Sequence, residues 1–168
     1  MRINALSVAN YLIDLAHADS DSITQLGLMK RVYAAHGFAL ALLDKPLLDE
    51  RFDSVEAWRY GPVIPSVYHS FKNYKANPIT DKTVLMEWNA EKGEPEFVTP
   101  KLEDDHAKIV VDMVWRRYKG YTDSEMVSLM HKQGTPWYWC YEENKNNPIP
   151  DSYTKLYYKN LVENLTKK

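Results

Sequence analysis

Residues 57–71, Ala57-Trp58-Arg59-Tyr60-Gly61-Pro62-Val63-Ile64-Pro65-Ser66-Val67-Tyr68-His69-Ser70-Phe71, constrain the fold more than any other stretch of the chain. They crowd aromatics, one glycine and two prolines into a run that no single regular element accommodates. Pro62 and Pro65 fix two φ angles and push Gly61 and Ile64 toward extended backbone, while Gly61 reaches angles closed to other residues. The result is a rigid, shaped turn. It serves either as a buried corner of the fold or as a docking platform, and the residues alone leave both readings open.

On either side of this turn the pattern is helical. Asn4 is placed to cap a helix carrying Leu6, Ala9, Leu12, Ile13 and Ala16, with Asp19–Ser22 as punctuation. Thr24 opens a longer helix to about Leu43, with Leu28, Val32, Leu40 and Leu43 near one face and Pro46 beyond its stop. Ser66 to Lys75 reads as a short helix ended by Asn77-Pro78. Thr83 to Val98 alternates and then breaks at a turn-rich Asn89–Pro95, which predicts a β-hairpin. Helical spacing returns from Leu102 to Gly120. Thr122-x-x-Glu125 has the form of a capping box, Thr135-Pro136 opens another short helix, and a turn-rich 144–150 connector leads to a last helix through Tyr153, Leu156, Tyr157, Leu161 and Leu165. The expected fold is mainly α: one compact domain over residues 1–168, helical, with a small β-hairpin insertion.

With 168 residues and 45% hydrophobic content, the chain can bury an ordinary core without disulfides or metal. Its single cysteine, Cys140, reads as a small core side chain and fits a reducing cytoplasm. Lys plus Arg number 21 against 23 Asp plus Glu, so long-range attraction to phosphate is weak and direct nucleic-acid binding is disfavoured. Residues 1–20 interleave Arg2, Asn4, Asn10, Asp14 and Asp19 with apolar positions, which fits neither a secretory leader nor a membrane span. A cytoplasmic protein without membrane attachment is expected.

No catalytic motif emerges. The histidines at 17, 36, 69, 106 and 131 lack the three- or four-residue spacing of a helical zinc site. Asp14-x-x-His17 and Glu103-x-x-His106 place a carboxylate and an imidazole on one helix face, which suits a local surface contact more than a di-metal centre. There is no nucleophile elbow and no phosphate-binding glycine loop. Neither a metal nor another cofactor is expected. Arg116, Arg117 and Lys119 sit where a helix C-terminus favours cations, and Lys30-Arg31 lies in an apolar helix, where a cation snorkels to water or meets a carboxylate. What remains is aromatic surface: twelve tyrosines and five tryptophans, residue types that dominate protein interfaces. A binding module therefore outranks an enzyme.

Three blocks resemble one family. Thr24-Gln25-Leu26-Gly27-Leu28-Met29-Lys30-Arg31-Val32-Tyr33-Ala34-Ala35-His36-Gly37 through Lys45-Pro46-Leu47-Leu48-Asp49-Glu50 resembles the second-helix signature of the Panacea domain. Ala57-Trp58-x-Tyr60-Gly61-Pro62-Val63-x-Pro65-x-Val67-Tyr68 is similar to its most specific motif, and Leu129-Met130-His131-Lys132-x-Gly134-Thr135-Pro136-Trp137 to its His-x-x-x-x-Pro-Trp block. The family includes SocA-type antitoxins and prophage-associated GepA-like proteins. The resemblance implies a non-enzymatic antitoxin that neutralises a cognate protein toxin by contact, in SocA-type members with delivery of the toxin to a protease; the expected partners are the toxin and, beyond it, a protease or chaperone. It places the partner surface on Lys30, Tyr33, His36, Trp58, Arg59, Tyr60, Pro62, His131, Pro136 and Trp137, with Lys30 and Arg59 giving directional charge. Tyr33, Trp58, Tyr60 and Trp137 would be apolar anchors or the walls behind them. His36 stands where family members often carry Gln, and Gly27 where a larger residue is common. The rival readings are a phage-encoded protein that redirects a host factor, and a small-ligand or enzymatic domain using His36, His69 or His131.

Overall fold

The computed structural model describes residues 3–167, and a helix buried on nearly every side organises them. This is α2 (Gln25–Leu43), in which every residue from Gly27 to Leu40 is buried. The small residues Ala34, Ala35, Gly37 and Ala39 let neighbouring elements approach closely on several faces, so the apolar stripe expected of a surface helix is absent. Around it pack α1 (Ala5–Ala18), α3 (Pro65–Phe71), α4 (Asp105–Tyr118), α5 (Asp123–Met130) and α7 (Asp151–Thr166), while the short α6 (Pro136–Cys140) leans on α7. The mainly helical expectation is met, with seven α-helices among the described residues.

Local signals account for most boundaries. Asn4 caps α1 through a full capping box with Ser7, and the hydroxyls of Thr24 and Thr135 accept from the Gly27 and Tyr138 amides. Thr122 caps α5 by accepting from the Glu125 N–H, but its hydroxyl then donates to the Glu125 carboxylate at 3.2 Å. The reciprocal carboxylate-to-backbone bond of the expected capping box is replaced by this side-chain pair. The Ser66–Lys75 helix is α3 followed by one 3-10 turn, Lys72–Tyr74.

Two small sheets replace the single hairpin expected. In one, β1 (Glu56–Trp58) pairs antiparallel with β2 (Gly61–Val63) on one side and β5 (Asn147–Pro148) on the other. The 57–71 run is therefore strand, two-residue turn, strand and helix, and the 144–150 connector contributes a strand that pairs with a partner some 90 residues earlier. Pro62 is tolerated because β2 is an edge strand. The other sheet is the expected hairpin, β3 (Leu85–Asn89) with β4 (Glu94–Val98). The local carboxylate–imidazole contact expected of Asp14 and His17 does not form: Asp14 pairs with Lys82, and the His17 ring bonds the Ile79 carbonyl.

Candidate functional site

The 57–71 turn sits on α2 through one buried cation. Lys30 is fully buried, and its Nζ donates to the Pro62 carbonyl at 2.7 Å. Burial without a carboxylate partner pushes its ammonium down to about 7. Directly above lies Gly61 at φ +116°, where an added Cβ would stand 3.0 Å from Lys30 Nζ and 3.8 Å from the His131 Cβ. Glycine is required there by both the backbone angle and the space. Neither snorkelling to water nor contact with a partner carboxylate describes Lys30, because its side chain ends inside the fold. The directional charge assigned to it is therefore spent on fixing β2.

A second clamp comes from the Pro-Trp block. Thr135 caps α6, Pro136 occupies its first turn, and the indole of Trp137 donates to the Trp58 carbonyl at 2.5 Å. Trp137 stacks on Tyr141 with centroids 4.6 Å apart and lies 4.8 Å from the His131 ring. Trp58 is half-buried; its indole donates to Glu56 at 2.6 Å, and its ring meets Tyr68 edge-on. Lys30, Trp58, Pro62, His131 and Trp137 thus form one connected base. Arg59 and Tyr60 make the turn between β1 and β2, and both are exposed, Tyr60 by 62%, with the guanidinium 5.5 Å from the Tyr60 ring. They are the tip that this base presents to solvent.

Tyr33 and His36 belong elsewhere. Tyr33 bonds Thr154 at 3.0 Å and packs edge-on against Tyr158, facing α7. With Pro136, Arg117, Lys132 and Tyr157 it lines a narrow pocket of about 100 Å³. His36 is fully buried; its Nδ1 accepts the Leu47 N–H at 3.2 Å, so the proton sits on Nε2, which donates to Asp151 at 2.9 Å. That bond holds the Asp151 carboxyl below the usual carboxylate range. His36 and Tyr33 therefore lock α2 to α7. The ten site residues divide into seven at the turn and its base, and three (Tyr33, His36, Pro136) on the α7 side.

The sequence reading named Arg31 only as part of a basic pair and gave Asp53, Tyr138 and Trp139 no role at the site. Arg31 is buried and donates to the Gly27, Tyr118 and Tyr121 carbonyls, closing the C-terminus of α4. Burial draws its guanidinium down, and the nearby Asp123 and Asp21 oppose that shift. Asp53 accepts from the Ala5 and Asp49 amides and the Ser66 hydroxyl, each at 2.9 Å, tying α1, the loop before β1 and α3 together. Tyr138 and Trp139 of α6 are about half exposed beside the Pro-Trp block. A groove of about 810 Å³ between the loop before β1 and α7 is lined by Lys45, Glu50, Asp53, Asp104 and Asp151. Its charged groups are largely engaged internally: Lys45 pairs with Asp104 at 2.6 Å, and Asp53 and Asp151 are held as described. Among the described residues no group of three or more His, Cys, Asp or Glu side chains is placed to hold a metal ion, and no helix is long and apolar enough to cross a membrane.

The turn, its base and most of α2 lie inside the region matched in known proteins, and α1 and α7 lie outside the family profile. The profile of a family described as "Antitoxin SocA-like, Panacea domain" matches residues 28–138, from the start of α2 into α6. Among curated proteins, the chain is similar to Antitoxin SocA of Caulobacter vibrioides (strain NA1000 / CB15N), with 34% identity over 140 residues, covering 80% of this chain and 69% of that protein. No solved structure matches significantly. On the extent of the profile match and the coverage of that relative, the chain belongs to the SocA-like Panacea-domain antitoxin family.

Proposed function

We propose that this chain is a non-enzymatic cytoplasmic antitoxin that neutralises a cognate protein toxin by direct contact, with delivery of the bound toxin to a protease as the downstream step. The observation that carries this reading is a presented turn. Arg59 and Tyr60 stand out on a two-residue loop whose base is held by the Lys30–Pro62 and Trp137–Trp58 bonds. A loop fixed from beneath loses little conformational freedom on binding, so an exposed Arg–Tyr pair there can act as an interface anchor. Lys30, Pro62, His131 and Trp137 serve as the rigid wall behind it, and Tyr33, His36 and Pro136 keep α2, α6 and α7 in register.

The test is growth rescue. The chain is co-expressed with any reading frame adjacent to its gene whose product alone arrests growth, and the Arg59→Glu/Tyr60→Ala variant is compared at equal soluble level. Both side chains are exposed, so the variant is expected to fold normally and to lose rescue. Full rescue by the well-folded variant removes the turn from the site, and absence of rescue by the unaltered chain removes the antitoxin reading.

A further inference from the structure

Four tyrosines from three helices converge on the narrow pocket beside Pro136. Tyr33 of α2, Tyr118 at the end of α4, and Tyr157 and Tyr158 of α7 all line it, together with Arg117 and Lys132. The Tyr33 hydroxyl is taken by Thr154. Among the described residues those of Tyr118, Tyr157 and Tyr158 have no hydrogen-bond partner. Tyr118 and Tyr158 are only 2% and 3% exposed, yet the sealed and unpaired side-chain atoms among the described residues are Gln25 Oε1 and Arg31 Nε, not these hydroxyls. Each phenol is thus buried along its ring and accessible at its oxygen. Buried polar groups in native proteins find a partner, so hydroxyls left open to a cavity bond what the cavity holds.

The groups around this space are donors, and the charge beside them is positive. Burial first, and then the neighbouring phenols, push the Tyr157 and Tyr158 hydroxyls above the ordinary tyrosine range, so both keep their protons at neutral pH. Arg117 acts on Tyr158 in the opposite sense, which means that its charge is felt at that hydroxyl. The guanidinium lies 5.3 Å from the Tyr118 ring. Neither Arg117 nor Lys132 has an ion-pair partner among the described residues, and no carboxylate is among the side chains that line the pocket. The carbonyl end of α4, which would repel an anion, is already engaged, because Arg31 donates to the Tyr118 and Tyr121 carbonyls.

Size and donor count narrow the ligand. A volume of about 100 Å³ holds several waters or one phosphate-sized group in their place, so a larger molecule could seat only its terminal group. Three hydroxyls, a guanidinium and an ammonium offer more donors than the roughly four lone-pair sites of a carboxylate can accept. A phosphoryl group, with three acceptor oxygens and a charge of about −1.5 to −2, uses them and matches the two cations.

We propose that the pocket between α2, α4 and α7 binds a phosphate group, as free phosphate or as the terminal phosphoryl of a small monoester, through the Tyr118, Tyr157 and Tyr158 hydroxyls with Arg117 and Lys132 as counter-charges. Pro136 lines the same pocket, so an occupant braces the helix that carries the Trp137 clamp. The site is separate from the Arg59–Tyr60 turn, and its test is read on this chain alone, whatever the outcome of growth rescue.

The purified full chain, in phosphate-free buffer near neutral pH, is titrated calorimetrically with sodium phosphate at constant ionic strength. One saturable site per chain is expected, with acetate binding about tenfold more weakly or less. Arg117→Gln and Tyr157→Phe should each weaken phosphate about tenfold or more. Both should keep the parent's unfolding curve without phosphate, because Arg117 is exposed and the Tyr157 hydroxyl bonds nothing within the described fold. Arg116→Gln, one residue away and outside the pocket lining, should bind like the parent. Competition by methyl phosphate assigns the site to a phosphoryl group and its exclusion assigns it to the free ion; both support the proposal. Absence of a saturable site, parent-like affinity in either well-folded pocket variant, an equal loss in Arg116→Gln, or acetate binding as tightly as phosphate overturns it. If Tyr157→Phe shifts the unfolding curve, the exposed Arg117 variant decides.

Discussion

Replacing Lys30 with Met should stabilise the protein, and the gain should depend on pH in a calculable way. Lys30 is fully buried, and its ammonium is pushed from 10.5 to about 7 by loss of water alone. Between those two values the unfolded chain holds a proton that the folded chain has lost, so folding stability rises with pH through this window. Below about pH 7 both states are protonated and the dependence is flat; above 10.5 both are neutral and it is flat again. A shift of about 3.5 pH units corresponds to about 4–5 kcal/mol of destabilisation at and below neutrality. About 2 kcal/mol of it is recovered between pH 7 and pH 9. Methionine fills nearly the same volume without the charge, but it loses the bond to Pro62 and leaves that carbonyl unpaired, at a cost of about 1–3 kcal/mol. The net expectation at pH 7 is a gain of about 2 kcal/mol. Urea denaturation of both proteins at pH 6, 7, 8 and 9 measures it: the difference between them should shrink by about 2 kcal/mol from pH 7 to pH 9. Parallel stability profiles across that range would mean that Lys30 reaches water or an acidic partner, and the burial account would fail.

Other sites give independent expectations. Gly37→Ala should weaken the α2–α7 contact by at least about 1–3 kcal/mol in thermal unfolding, because the new Cβ would stand 2.2 Å from the Tyr158 ring. A parent-like melting temperature would show that Tyr158 moves aside freely. Trp137→Phe keeps a ring but loses the donor to the Trp58 carbonyl. Chemical denaturation should register a loss of about 1–3 kcal/mol, and no loss would assign the clamp to stacking on Tyr141 alone. The Asp151 carboxyl is held low by His36, so its contribution is present above the unfolded carboxylate value and fades as pH falls through the lower folded one. Asp151→Asn should therefore flatten the acid limb of the stability profile, and an unchanged limb would place the acid sensitivity elsewhere.

Helix starts were legible because their causes are local. Asn4, Thr24, Thr122 and Thr135 each accept a backbone N–H within three residues, a geometry set by the immediate sequence. The hairpin at 83–98 was legible for the same reason, from alternation around a turn. The strand at Asn147–Pro148 was not: two residues carry no periodicity, and their pairing with β1 is a tertiary event. Lys30 illustrates the limit at the candidate site. A lysine in an apolar helix looks the same in sequence whether it snorkels or is sealed beneath a turn, and here the carbonyl of Pro62, 32 residues away, decides. The aromatic motif was equally ambiguous. Trp58 and Tyr60 are two residues apart, yet one is half-buried against Tyr68 and the other projects into solvent, a division set by the turn between β1 and β2.

Stoichiometry tests neutralisation by masking most directly. A fixed amount of purified toxin is mixed with increasing amounts of this chain in the absence of any protease, and residual toxin activity is read beside intact-mass spectra of both proteins. Direct masking predicts inhibition that grows linearly and saturates at a defined molar ratio, with both masses unchanged and a complex of that ratio in sedimentation. Complete inactivation by a small fraction of an equivalent, or a changed toxin mass, would make the chain a catalyst and contradict the binding account.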